Sequence, residues 1–119
     1  MIPKDRRLTT KLLDEVIKTG RLFQSPVLSL RASKVTSGKT RFSTVASKKH
    51  FKTAVERNKI RRRLYVAITP LLPVVDKESI DNNRTFHCMI VAKPQVLRLT
   101  KDELAKAVQD ILFESRILQ

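Results

Sequence analysis

Residues 53–68 read TAVERNKIRRRLYVAI, and they contain the clearest helix signals in the chain. Thr53 and Glu56 have the spacing of a capping box, in which each side chain accepts a hydrogen bond from the other residue's backbone N–H. The apolar side chains that follow recur on one face of a helix, at Ile60, Leu64, Ala67 and Ile68. Because proline disfavours helical geometry in the residue before it, we predict a helix that begins near Ala54 and that Pro70 ends.

The predicted helix and the segment before it are strongly basic. Residues 48–63 contain eight Lys or Arg and one Glu. On a helical wheel, Asn58, Arg62 and Tyr65 fall close to the side opposite the apolar stripe, so we expect them to face outward. Arginine offers a planar fork that matches phosphate or a base edge, and an Asn amide can both donate and accept hydrogen bonds.

Three lysines lie just before the predicted helix start, at Lys48, Lys49 and Lys52. Cations at a helix N-terminus oppose the helix dipole and lower stability slightly, whereas free N–H groups and the dipole both favour a bound phosphate. A solvated cationic face is the alternative interpretation, but stability alone does not favour this arrangement. We therefore predict a polyanion as the partner of this helix.

The net charge of +14 is distributed unevenly along the chain. Residues 1–63 contain 18 Lys and Arg against four Asp and Glu, while residues 64–119 contain seven of each kind. Such an uneven distribution of charge indicates a polyanionic partner on one side of the protein, and nucleic acid is the leading candidate. A membrane partner is disfavoured, because no window is long and apolar enough for a span and no basic helix has an aromatic opposite face. The single cysteine forms no internal disulfide, so we expect a cytoplasmic protein.

The remaining patterns predict an α-β-β-α-β-α order in one α+β domain over residues 1–119, built as a two-layer sandwich. We predict a helix at 10–19, strands at 27–32, 41–47 and 85–92, and a final helix that starts with the capping box Thr100–Glu103. Residues 34–40 are predicted as a turn. Residues 70–83 are predicted as a loop, with Leu71 and Leu72 as a possible continuation of the helix.

No residue pattern indicates a catalytic or metal site in the protein. His50 and His87 have no Cys or acidic partner at ligand spacing, and Cys88 in an apolar strand is typical of a core residue. Asp102 and Glu103 are explained by capping and by the helix dipole. Ser47 and Lys48 are adjacent strand residues that point to opposite faces, so they do not form a nucleophile pair.

The basic segment resembles the signature of the bacterial ribonuclease P protein component, a strand that ends in Ser-Lys-Lys followed by an Arg-Asn-Arg helix. The matching residues are Val45-Ala46-Ser47-Lys48-Lys49 and Ala54-Val55-Glu56-Arg57-Asn58-Lys59-Ile60-Arg61-Arg62. Weaker similarity extends to Arg7-Leu8, Gly20-Arg21, Ile90-Val91-Ala92-Lys93-Pro94 and Leu99-Thr100. In order and spacing the resemblance covers nearly the whole chain.

The resemblance implies a ribosomal-protein-like sandwich with a central mixed sheet and a left-handed β-α-β crossover formed by the basic helix. It implies the protein subunit of an endonuclease that removes the 5′ leader of precursor tRNA. In this family the catalytic RNA subunit carries the catalysis and binds most of the Mg²⁺, and the protein lowers the metal-ion requirement. The implied partners are that RNA and precursor tRNA, with no membrane and no obligate protein partner.

Site residues also follow from the resemblance. The expected contacts with the catalytic RNA are Lys48, Lys49, Lys52, Arg57, Asn58, Lys59, Arg61 and Arg62. A cleft between the sheet and the first helix is expected to hold the leader, with Lys11, Leu13, Ile17 and Phe42 as its residues.

Several positions depart from the family pattern. Lys59 replaces the second arginine of the motif, Arg63 lies where an apolar residue is usual, and Tyr65 lies where arginine is usual. Leu13 and Ile17 occupy positions commonly filled by Phe, and Ser43 one commonly filled by Gly. Fewer aromatic rings predict weaker base stacking on the leader, although a core role for Leu13 and Ile17 is an alternative. A ribosomal RNA-binding protein and a DNA-binding module remain alternative functions.

Overall fold

The structure, a computed structural model, describes residues 3–36 and 38–118 of the chain. Ser37, part of the predicted turn, lies outside the described residues. The helices are α1 (Thr10–Thr19), α2 (Ala54–Ile68), α3 (Leu72–Asn82) and α4 (Lys101–Glu114). The strands are β1 (Arg21–Gln24), β2 (Leu28–Val35), β3 (Arg41–Val45) and β4 (Thr85–Ala92).

These elements confirm the α+β class and add two elements that the sequence did not predict. Strand β1 is four residues long and shows no alternation of buried and exposed residues, so it lacks the pattern that identifies a strand. Helix α3 occupies the predicted loop at 70–83. Its Pro73 lies in the first turn, where a missing backbone N–H removes no helical hydrogen bond.

The four strands form one mixed sheet in the order β1-β2-β4-β3. Strand β2 pairs antiparallel with β1 and β4, while β3 pairs parallel with β4. The β3–β4 connection contains α2 and α3, which makes it the β-α-β crossover that the family resemblance implies. The basic helix is therefore fixed beside the parallel pair of the sheet.

One face of the sheet packs against α2 and α4 and contains the main hydrophobic core. Alternate strand residues point into it, and they are Leu28, Leu30, Ala32, Phe42, Cys88, Ile90 and Ala92. Burial raises the pKa of the Cys88 thiol, so this cysteine stays neutral as a core residue. The final helix α4 starts with the complete predicted capping box between Thr100 and Glu103.

Helix α1 crosses the opposite face of the sheet. Its N-terminal end lies at the β3 edge, where Leu8 N–H donates to the Phe42 carbonyl at 3.3 Å. Its C-terminal end lies over β2, where the Thr19 and Ser33 hydroxyls are 3.0 Å apart. Gly20 fits closely there, since a Cβ would come within 2.5 Å of the Val16 carbonyl oxygen. A helix thus covers one end of this second sheet face.

The rest of this face is the surface that we call the open face. Its six residues alternate with core residues on β2, β3 and β4, and each is half-buried. They are Ser29, Arg31, Ser43, Val45, Met89 and Val91. We call the region between α1 and the open face the cleft.

The segment before α1 is anchored by a buried arginine. Arg6 is 5% exposed, and its guanidinium donates two hydrogen bonds to the Asp76 carboxylate at 3.0 and 2.6 Å. Its Nε also donates to the Thr40 carbonyl at 3.0 Å. The Thr40 hydroxyl in turn lies 3.2 Å from that of Ser79. This cluster, which we call the Arg6 clamp, ties the N-terminal segment, β3 and α3 together.

Candidate nucleic-acid interface

Helix α2 begins where the sequence predicts. The Thr53 hydroxyl accepts a hydrogen bond from the Glu56 backbone N–H at 3.1 Å, which is the Thr53 half of the predicted capping box. The apolar stripe of Ile60, Leu64, Ala67 and Ile68 is buried in the main core. Because the core holds this side of α2, the direction in which its other side chains point is fixed relative to the sheet.

Tyr65 is a correction to the predicted outer side of α2. It is 5% exposed and belongs to the main core cluster. The prediction rests on the helical wheel, where Tyr65 lies opposite the apolar stripe. The segment predicted as a loop at 70–83 instead contains α3, which adds Leu72 and Val75 to the same core. The core therefore covers more of the helix circumference than the apolar stripe alone indicates.

Seven of the eight predicted RNA-contact residues are exposed in one continuous region. We call this region the α2 surface, and it consists of Lys48, Lys49, Lys52, Asn58, Lys59, Arg61 and Arg62. In the described part of the chain, the salt bridges are Arg6–Asp76 and Lys106–Asp110, so no carboxylate neutralises these cations. A dense set of unpaired cations at a helix N-terminus is suited to bind phosphate groups.

Arg57, the eighth predicted residue, is half-buried and has protein partners. Its Nη1 donates to the carbonyls of Phe51 and Lys52 at 2.9 and 3.2 Å. The side chain of Phe51 is fully buried, so these bonds hold the segment before α2 against the core. Arg57 thereby positions the lysines at the start of the helix, in addition to the RNA contact that the sequence predicts for it.

Arg63, which departs from the family pattern, also has a protein partner. Its Nη2 donates to the Leu99 carbonyl at 2.8 Å, linking α2 to the residues before α4. A groove of about 880 Å³ lies between these two helices. Its lining includes the exposed apolar residues Val55 and Val66, while Lys59 and Arg62 from the α2 surface stand at its border. The α2 surface thus combines charge with an apolar depression.

Two of the predicted leader residues on α1, Leu13 and Ile17, lie on the side of this helix that is next to the cleft. Val16 is buried against the sheet, Leu13 is half-buried, and Ile17 is 48% exposed. On the helical wheel Leu13 and Ile17 fall on the same side of Val16 as Gly20, which lies against Arg31 of the open face. Lys11 is exposed on the same helix. This arrangement makes Leu13 and Ile17 the aliphatic wall of the cleft.

Phe42 was wrongly predicted as a leader contact. It is fully buried in the main core, on the sheet face opposite the cleft. Side chains alternate along a strand, so the β3 residues that point to the α1 side are Arg41, Ser43 and Val45. Sequence reasoning missed these residues because the alternation of side chains gives two faces without stating which one lies toward α1.

His87 lies in the same sheet face beneath α1. Its strand neighbours are Ser33 and Arg41. Burial is the main cause that lowers the pKa of His87, and the Arg41 charge lowers it further, while Glu15 acts in the opposite direction. The imidazole is therefore held neutral near pH 7 and adds no positive charge to the cleft.

Two further observations concern the described residues alone. Across 3–36 and 38–118, no three His, Cys, Asp or Glu side chains form a group that could hold a metal ion. No helix in that part of the chain has both the length and the apolar character needed to cross a bilayer.

Comparison with known proteins agrees with this architecture. The chain is 25% identical over 131 residues to the ribonuclease P protein component of Prochlorococcus marinus (strain AS9601), covering 99% of this chain and 98% of the relative. The fold matches the RNase P protein of Staphylococcus aureus with a TM-score of 0.79 at 14% identity, covering 98% of this chain and 100% of the other. It also matches the RNase P protein of Thermotoga maritima with a TM-score of 0.73 at 17% identity, covering 89% and 94%.

The family model of ribonuclease P matches residues 2–115, which is nearly the whole chain. This match supports the ribonuclease P interpretation of the chain and not the ribosomal alternative. The chain belongs to the ribonuclease P protein family.

Proposed function

We propose that the α2 surface binds the catalytic RNA subunit of ribonuclease P. The observation that carries this proposal is the continuous set of exposed cations around the start of α2, none of which is paired with a carboxylate within the described residues. Lys48 and Lys49 extend the set toward the end of β3, so it reaches from the sheet to the middle of the helix. A set of cations with this extent can contact the phosphates of more than one nucleotide.

The cleft between α1 and the open face binds the 5′ leader of precursor tRNA in this proposal. The cleft offers half-buried apolar side chains, at Leu13, Val45, Met89 and Val91, together with the cations Arg31 and Arg41. Apolar and cationic groups side by side suit a single strand, because bases contact the former and phosphates the latter. Without aromatic rings at Leu13 and Ile17, leader binding depends more on charge.

The reaction itself belongs to the RNA in this proposal. The described residues do not form a metal site, so the Mg²⁺ that the family uses is assigned to the RNA subunit. The protein lowers the Mg²⁺ requirement because its cations reduce the repulsion between the phosphates of the RNA subunit and those of precursor tRNA. The chain thus acts as the non-catalytic part of a tRNA-processing endonuclease.

Leader cleavage at limiting Mg²⁺ tests this function. The purified protein is added to its cognate RNA subunit and a precursor tRNA, and release of the 5′ leader is measured. We expect cleavage at a Mg²⁺ concentration at which the RNA alone is inactive. Normal folding of the protein without any stimulation would contradict the proposal.

A matched pair of variants links the activity to the α2 surface. Arg61→Gln combined with Arg62→Gln removes two exposed charges from that surface, while Lys77→Gln combined with Lys106→Gln removes two exposed charges elsewhere. The first variant is expected to need more Mg²⁺ or more protein for the same rate, and the second is expected to behave as wild type. Equal behaviour of both pairs would show that net charge alone matters.

A further inference from the structure

A second basic pocket lies at the end of the sheet where β2 finishes and β4 begins. Its volume is about 580 Å³. Its lining includes four cations and two aromatic rings, which are Arg21, Lys34, Arg84, Arg116, Phe23 and Phe86. None of these residues belongs to α2 or to the lysine segment before it, so this pocket is separate from the α2 surface.

The pocket collects four cations and no carboxylate. Arg21, Lys34, Arg84 and Arg116 come from four different parts of the chain, and no Asp or Glu is among the lining residues. None of the four takes part in the salt bridges of the described residues. Folding therefore brings together like charges that repel one another, and an anionic ligand would reduce this repulsion.

Two aromatic rings stand beside these charges. The guanidinium of Arg21 lies 5.7 Å from the ring centroid of Phe23, and that of Arg84 lies 5.7 Å from the ring centroid of Phe86. Both rings are half-buried. An aromatic ring next to a guanidinium offers flat surface for stacking a nucleobase and a charge for the adjoining phosphate.

The backbone leaves the pocket accessible along one strand edge. β1 pairs with β2 from Ser29 to Ala32, so the last three residues of β2 extend beyond β1. The hydroxyls of Thr19 and Ser33 lie at this uncovered edge. The Thr19 hydroxyl donates to the Glu15 carbonyl at 2.8 Å, so Ser33 donates to Thr19 in this pair. The oxygens of both hydroxyls can still accept a hydrogen bond from a ligand.

The C-terminal side of the pocket is held in a defined shape. Arg116 has a φ of 64°, a left-handed conformation that is uncommon outside glycine. Its carbonyl accepts a hydrogen bond from Arg84 Nη2 at 3.0 Å. The segment that carries the fourth cation is thereby attached to the residue directly before β4.

We propose that this pocket binds one unpaired nucleotide of an RNA strand, with its base against the Phe86 and Phe23 side and its phosphate among the four cations. The inference rests on the proposed function in that it takes ribonuclease P RNAs as the partners. The RNA subunit and precursor tRNA both present such nucleotides, so the same pocket could bind a nucleotide of either RNA. The binding measurements below identify which RNA supplies it.

The test uses Arg21→Gln combined with Lys34→Gln in the full chain. Both side chains are exposed, and neither takes part in a hydrogen bond or ion pair within the described residues, so the variant is expected to fold normally. The matched control is Lys77→Gln with Lys106→Gln, which removes the same charge outside the pocket. Its Lys106–Asp110 salt bridge is exposed and contributes little to stability. Unfolding curves of all proteins establish that folding is unchanged.

Two binding measurements separate the RNA sources. The first is the dissociation constant for the isolated RNA subunit, and the second is that of the assembled holoenzyme, at saturating protein, for precursor tRNA. A loss of about tenfold relative to the control in the first places the nucleotide in the RNA subunit, and the same loss in the second places it in the precursor. Either loss supports the pocket.

Phe86→Leu examines the stacking part of the proposal. Leucine keeps the site apolar but removes the ring, so we expect about a fivefold loss in the same measurement that Arg21→Gln/Lys34→Gln affects. If the charge variant matches the control pair in both measurements while wild type binds normally, the pocket proposal is overturned and the proposed function stands. If wild type itself does not bind the RNA subunit, the proposed function fails.

Discussion

The Arg6 clamp and the α2 surface use similar side chains in opposite ways. Arg6 is buried, and its guanidinium bonds to Asp76 and to the Thr40 carbonyl. Arg61 and Arg62 are exposed and have no carboxylate partner within the described residues. A buried arginine that bonds through each of its three guanidinium nitrogens holds elements together, whereas exposed unpaired arginines leave their charge for a partner. Arginine content alone therefore does not identify a binding surface, but burial and bonding do.

Arg6→Ala is the change with the largest expected effect on folding. It leaves the Asp76 carboxylate without its partner and the Thr40 carbonyl without its donor, so we expect a loss of about 3 kcal/mol in the free energy of unfolding. Urea denaturation measures this value. RNA affinity, measured where the variant is folded, is expected to stay within about twofold of wild type because Arg6 lies outside the α2 surface. A stable variant with weak RNA binding would reverse the assigned roles of the two regions.

Arg57→Ala is the intermediate case, since Arg57 belongs to the α2 motif but bonds to the protein. Loss of the bonds to the Phe51 and Lys52 carbonyls is expected to lower stability by about 1.5 kcal/mol. RNA affinity should fall as well, because the lysines before α2 lose their support. Unfolding and RNA-binding curves are measured on the same protein, with Lys77→Gln as the control. A loss in affinity with unchanged stability would show that Arg57 acts purely as an RNA contact.

Ile17→Phe adds an aromatic ring beside the cleft without changing any charge. Ile17 is 48% exposed at the border of the cleft, so a ring there has room to stack on a leader base. We expect about a fivefold gain in holoenzyme affinity for precursor tRNA, with unchanged affinity for the RNA subunit. The control is Val74→Phe, an equally exposed apolar position on α3, which should change neither value. An unchanged precursor affinity for Ile17→Phe would remove this residue from the leader site.

The pH dependence of stability gives the smallest expected effect. The pKa of His87 is lowered in the folded state, chiefly by burial, so the unfolded chain binds more protons as the pH falls through the ordinary histidine range. Stability from this group is therefore present above that range and is lost as the pH falls. Unfolding midpoints measured at about pH 7.5 and about pH 5.5 should differ less in His87→Gln than in wild type. A larger difference in the variant would contradict the sign.

Local signals allowed much of the fold to be predicted from the sequence. The capping residues Thr53 and Thr100 mark the true starts of α2 and α4, because a cap depends on residues within one turn. Strand β4 and helix α1 match their predicted bounds, since both have strong apolar patterns. By contrast, α3 was not predicted, because Pro70 indicates the end of a helix, whereas Pro73 lies in the first turn of α3, where proline is tolerated.

Tertiary packing determines the parts that the sequence did not show. Tyr65 belongs to the core cluster that α3 extends, and Phe42 faces the core rather than the cleft. The α2 surface was visible in the sequence because its cations lie within sixteen residues, 48–63. The pocket around Phe23 and Phe86 was not visible, because its four cations come from separate segments that folding brings together.

The salt dependence of RNA-subunit binding directly measures whether the α2 surface contacts phosphate groups of the RNA. Arg61→Gln/Arg62→Gln and wild-type protein are titrated with the RNA subunit over a range of salt concentrations, and the slope of log affinity against log salt is compared. We predict that the variant keeps the stability of wild type, binds about 30-fold more weakly, and has a slope smaller by about two, one for each lost phosphate contact. The same affinity and slope in a folded variant would contradict the assignment of the α2 surface to RNA.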